Sequence, residues 1–171
     1  MTSEKNTSQS VSIERLGRGR YLHTIIPIVD STGEVIERIV KPLMVELHLR
    51  DIVQILVGSA MLAVPVGFTE ETWNLGERLP TANVLAIAAI SLFFIATFVY
   101  VNFYRFYLKD FSFEYIKRVL AIYLLSLLVV GILLTVIQQC PWGIDNILAA
   151  KRIIIVAFPA SMSAALTDSL K

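Results

Sequence analysis

Cysteine, histidine and charge are all scarce in this chain, and each shortage removes a class of function. One cysteine, Cys140, stands among 171 residues, so no disulfide can form within the chain. The two histidines, His23 and His48, both precede the first long hydrophobic stretch. No Cys/His set has metal-ligand spacing, so neither a metal site nor another cofactor is expected. Charged residues make up 17% of the sequence with a net charge of +1, which leaves no basic face for nucleic acid. A glycine-rich phosphate loop, a Ser/His pair inside an apolar stretch and a repeated half are all missing, so neither a metabolic enzyme nor an inverted-repeat transporter is expected. The opening MTSEKNTSQS has no apolar h-region, and no cleaved signal peptide is expected.

What fills the chain instead is apolar. Hydrophobic residues account for 56%, and the mean hydropathy of +0.68 is too high for an ordinary soluble domain. Four uncharged runs carry it. Ile52 to Thr69 has 18 residues, about 27 Å as a helix and close to a hydrocarbon core of about 30 Å. Leu79 to Tyr104 and Val119 to Ile144 have 26 each, and Pro141 should stop the latter near Gln138. Ile153 to Thr167 has only 15, so it crosses by recruiting Ile144 to Ala150 and carries Lys151 and Arg152 near one end.

The rest divides by composition. Residues 1–20 read as a mobile tail. Two β-branched runs flank the turn formers Asp30, Ser31, Thr32 and Gly33, which predicts a hairpin over 21–40, with Pro27 suited to an edge. Leu43 to Asp51 should form an interfacial lead-in helix, completing a unit of 21–50 ahead of a transmembrane domain at 51–171. The expected fold is an all-α membrane protein, a bundle of about four transmembrane helices with a small cytoplasmic β-hairpin.

Orientation follows from Lys and Arg, with seven in residues 1–50, one in 70–80 and four from Arg105 to Arg118. This places both termini in the cytoplasm and the loop holding Glu70 and Glu71 outside the cell membrane. Tyr100, Tyr104 and Tyr107 suit an inner aromatic belt, Trp73 and Trp142 an outer one.

Few groups in such a chain can carry chemistry. Glu70 and Glu71 read either as solvated headgroup-level acids or, repeated around a homo-oligomer, as a carboxylate ring that gathers small cations. The pair also resembles the EExxxR opening of membrane-embedded prenyl proteases. However, the arginine here is Arg78, seven residues after Glu71 instead of four, and the apolar runs lack histidine, so no enzyme is expected. In the last run Ala157, Ser161, Ala164, Ala165 and Asp168 share one helical face. Close helix packing is the favoured reading, and an ion path with Ser161 along it and Asp168 at its inner end the alternative. Pro65 and Pro159 are candidate kinks. Lys151 and Arg152 read as snorkelling cations or as vestibule groups paired with Asp145, Glu70 or Glu71. Gln54, Ser59, Asn83, Ser91, Thr97, Asn102, Ser126 and Thr135 are scattered, and read as interhelical hydrogen bonds.

The stretches VGSAMLAVPVGFTEETWNLG and KRIIIVAFPASMSAALTDSLK resemble a prokaryotic family of integral membrane proteins known only as a domain of unknown function. The resemblance runs from about Glu46 to the end. It implies several membrane helices, supplies no reaction, and draws attention to Pro65, Glu70, Glu71, Trp73, Pro159, Ser161 and Asp168. The expected function is a homo-oligomeric channel or transporter for small cations. The competing expectation is a membrane module that binds a soluble partner through the hairpin.

Overall fold

The computed structural model describes residues 10–16, 19–29, 35–44, 47–104 and 112–170, with side chains from 47 onward. It divides into two units, 1–47 and 48–171. The first is described by its backbone. Strands β1 (Ser10–Leu16), β2 (Gly19–Val29) and β3 (Val35–Met44) form an antiparallel sheet in the order β1-β2-β3. Pairing of β2 with β3 runs from Tyr21 opposite Met44 to Val29 opposite Val35, with an irregularity at Ile28 and Val29. Pairing with β1 stops at Ile25, so Pro27, which has no N–H to give, lies beyond that ladder. The turn at 30–33 on which the hairpin expectation rests lies outside the described residues, as do residues 1–9 of the expected tail.

The second unit is helical. Its elements are α1 (Leu49–Gly67), α2 (Glu70–Arg78), α3 (Thr81–Val99) with a π turn at Tyr100–Tyr104, α4 (Ser112–Val136) and α5 (Asn146–Ser169). Among the described residues four stretches are long and apolar enough to cross a membrane: α1, α3 with its π turn, α4 and α5. The boundaries have local causes. The His48 N–H donates to Asp51 Oδ2 at 3.1 Å, half of a capping box that opens α1. Gln138 takes a positive φ of 60° just past α4, and Pro141 follows. Asp145 caps α5 by accepting from the Leu148 N–H at 2.9 Å, so the last apolar helix does include residues before Ala150.

α5 is the central helix, packing on α1, α3, α4 and α2. Its small residues make that possible: Ala149, Ala157 and Ala160 meet Ala63, Val130 and Leu134 in the core. Large apolar side chains point the other way. Leu120, Leu124, Leu128 and Ile132 on α4, and Val53, Val57 and Met61 on α1, are exposed at four-residue spacing. In water this pattern would aggregate, whereas in lipid it costs nothing.

The polar residues scattered along the runs are used in two ways. Ser59 meets Ser126 at 2.9 Å, joining α1 to α4, and Ser91 meets Ser161 at 2.8 Å, joining α3 to α5. Thr97, Asn102 and Thr135 instead bond the carbonyl four residues back in their own helix.

Candidate functional site

Ionisable groups gather at the two ends of this bundle. At one end the start of α1, the close of α3, the first turns of α4 and the last turn of α5 meet. Arg118 Nε donates to Asp168 Oδ2 at 2.8 Å and its Nη2 to Asp168 Oδ1 at 3.0 Å, a bidentate pair. The same Nη2 reaches Asp51 Oδ2 at 3.3 Å. Asp51 and Asp168 are 0% exposed and Arg118 1%. An acid in the last turn of a helix opposes the helix dipole, and Arg118 offsets that cost for Asp168. The guanidinium carbon lies 4.1 Å from the centre of the Phe103 ring, and the buried Tyr104 packs edge-on against Tyr115. Phe103 and Tyr104 are consecutive in the π turn, whose wider winding brings neighbouring side chains nearer in direction than an α-helix does.

At the other end Arg152 is nearly buried and fastens α2 across the bundle. It donates to Glu77 Oε1 at 2.7 Å and to the Gln139 carbonyl at 2.7 Å, with a longer contact to the Trp73 carbonyl at 3.4 Å. Gly76 lets α2 lie this close, because a Cβ there would sit 2.7 Å from Arg152 Cγ. Lys151 Nζ donates to the Leu79 carbonyl at 2.8 Å. Trp73 Nε1 donates to the Gly67 carbonyl at 2.8 Å, closing the joint between α1 and α2. Cys140, in the connection from α4 to α5, is buried, and burial pushes its thiol pKa up.

The residues singled out from sequence fall as follows. Glu70 and Glu71 are exposed in the first turn of α2, where the helix dipole favours acids. Ser161 is buried against Ser91, and Asp168 lies in the Arg118 cluster. Asp145 caps α5, and the partner that Arg152 takes is Glu77. Pro65 and Pro159 lie inside α1 and α5, which continue through them. Asp51 and Arg118 were not singled out, nor was Glu77. A signal did exist: Asp51, Arg118 and Asp168 each border an uncharged run, and their signs are complementary.

Two grooves between the helices are apolar. A groove of about 450 Å³ between α3 and α5 is lined by Phe94, Phe98, Val101, Met162 and Leu166 among others, which suits lipid chains. Among the described residues no group of three or more His, Cys, Asp or Glu is placed to hold a metal ion.

A family model described as "Putative integral membrane protein (DUF2391)" matches residues 30–167. Comparison with curated proteins and with solved structures gave no match.

Proposed function

Starting from a chain that belongs to the DUF2391 family of integral membrane proteins, we propose that it passes small cations across the cell membrane. One observation carries this reading: Asp51, Arg118 and Asp168 lie together, buried, where three spans meet. Buried ionisable groups in membrane helices are expensive, and such groups commonly mark ion paths. Asp168 then stands at the inner end of that path, with both termini cytoplasmic as the Lys and Arg bias favours.

α5 fills the centre that a single-bundle pore would need, so passage is either stepwise between buried groups or requires copies around an axis. In the homo-oligomeric form, Glu70 and Glu71 supply an acidic outer mouth, favoured by their exposure on α2. The test is cation uptake by proteoliposomes that hold the purified full chain. Wild-type uptake should exceed that of empty vesicles and be lost in Asp168→Asn, and Glu70→Gln/Glu71→Gln should weaken it. Wild-type uptake equal to empty vesicles under pH, Na⁺ and K⁺ gradients would sink the proposal.

A second reading is a module that binds a soluble partner by strand addition, favoured by the edge positions of β1 and β3. Deleting residues 1–40 separates the two, since cation passage survives the deletion and partner binding does not.

A further inference from the structure

The two apolar grooves differ in what their polar groups have left to give. In the groove lined by Leu128, Ile132 and Val136 of α4 and Ile153 of α5, the polar side chains satisfy one another. Trp142 Nε1 donates to Thr135 Oγ1 at 2.9 Å, and Thr135 donates to the Gly131 carbonyl at 2.6 Å. Neither side chain keeps a donor for a ligand.

The groove between α3 and α5 is different. Its volume of about 450 Å³ falls within the range of small-molecule sites. Phe94, Phe98 and Val101 of α3 and Met162 and Leu166 of α5 form its walls, and the buried Ala165 keeps it deep. From Phe94 to Asn102 the lining follows one face of α3 for about 12 Å, at about 1.5 Å per residue. Met162 is flexible enough to follow the bends of a chain lying there. At the end of this face stands Asn102, in the π turn that closes α3. One of its amide hydrogens goes to the Phe98 carbonyl at 2.8 Å. An asparagine amide has two N–H donors and an acceptor oxygen, so one donor and the oxygen are left over.

These features select a ligand. Phe94, Val101 and Leu166 are exposed on the surface that apolar helices turn to lipid, so a ligand enters from the bilayer and not from water. Most of its length must be apolar. Where it passes Asn102 it must carry a hydrogen-bonding group, because an unpaired amide beside hydrocarbon is costly. Among the described residues, those lining the groove include no charged one, so that group is neutral. Asn102 lies two residues before Tyr104 and Leu166 two before Asp168, which sets this lip level with the buried ionic cluster at the end of the bundle. A long apolar chain with a neutral polar group at its end is the acyl ester of a glycerolipid.

We propose that the groove between α3 and α5 binds one membrane glycerolipid, its acyl chain lying along Phe94, Phe98 and Met162 and its ester carbonyl accepting from the remaining Asn102 N–H. The site does not depend on cation passage and survives the failure of that reading.

The experiment places the full chain in phosphatidylcholine vesicles that contain a small fraction of phosphatidylcholine with a diazirine on the acyl chain. After irradiation, labelled positions are mapped by mass spectrometry. Residues 94–102 and 162–166 should be labelled severalfold more than Leu120, Leu124, Leu128 and Ile132 of α4, which are comparably exposed. Asn102→Leu leaves the groove but removes the amide, and should lower groove labelling toward the α4 level. Ala165→Leu, which fills the groove, should do the same, and the wild-type map decides the matter even if that variant does not fold. Equal labelling of every exposed apolar face would mean ordinary bilayer lipid only and would overturn the site. A groove shielded from label in protein that crosslinks as a dimer would assign it to a second copy, which overturns the lipid. Groove labelling unchanged in a folded Asn102→Leu would overturn the bond between ester and amide.

Discussion

The two ends of the helical bundle each set an arginine against a carboxylate, and burial separates them. Arg118 with Asp51 and Asp168 is closed off from solvent, whereas Arg152 is nearly buried but its partner Glu77 is 54% exposed. The hidden cluster joins α1, α4 and α5, all long and apolar enough to span a membrane. The half-open pair fastens α2, which is only nine residues long, onto α5. The same chemistry therefore does different work. Where water cannot reach, each charge depends on its partner, and where water can reach, the pair adds little beyond holding a geometry.

The contrast is tested most severely at Arg118. Arg118→Met leaves two buried carboxylates without their guanidinium, and loss of one partner of a buried pair costs about 3–5 kcal/mol. A large fall in the thermal midpoint in detergent is expected, and a midpoint within a degree or two of wild type would show that the cluster is not sealed. Restoring neutrality with Asp51→Asn/Arg118→Met/Asp168→Asn should recover much of the loss.

Glycines at the two ends give the next comparison. A Cβ at Gly58 would meet Thr167 Cβ at 2.7 Å and the Ala164 backbone at 3.0 Å, whereas one at Gly76 would meet only the Arg152 side chain within 3 Å. Backbone cannot yield as a flexible side chain can, so Gly58→Ala should cost about 1–3 kcal/mol by overpacking. Gly76→Ala should cost less, because Arg152 can shift and alanine favours the helix by about 1 kcal/mol. The reverse order of thermal midpoints would mean that α2 is seated more rigidly than the spans.

Smaller still is Glu77→Gln, at about 0–1 kcal/mol for a pair half open to water. Added salt should narrow the gap from wild type further, which thermal melts at two ionic strengths can check. Least of all in stability, but readable chemically, is Cys140. Its raised pKa leaves less thiolate at any given pH, so a maleimide should label it more slowly than an exposed cysteine at pH 7.5. Arg152→Gln, which loosens α2, should speed that labelling.

The spans were largely legible in the sequence, because a hydrocarbon interior demands long uncharged runs with their backbone bonds satisfied locally. Pro141 and Gln138 marked the end of α4, and the short last run extended backward past Lys151 and Arg152 as its length required. Glu70 and Glu71 were conspicuous, yet the segment they open is a helix, since two acids in a first turn are a start signal whose apolar partners are too few to show periodicity. The small-residue face of α5 is buried against its neighbours, with Ser161 bonded to Ser91 seventy residues away. Ser59 and Ser126 are no more conspicuous in sequence than Thr97 or Asn102, although only the former two bond across helices.

Sequence by itself determined that this chain lives in a membrane and how many helices can cross it, because composition and run length act locally through transfer of side chains out of water. The tertiary structure decided which charges meet. Asp51, Arg118 and Asp168 lie at least 50 residues apart, and each alone is an unremarkable charge at the edge of an apolar run. A helix fixes the direction of a side chain but not its partner. Only the packing of α1 and α4 against α5 turns three span-end charges into one buried cluster.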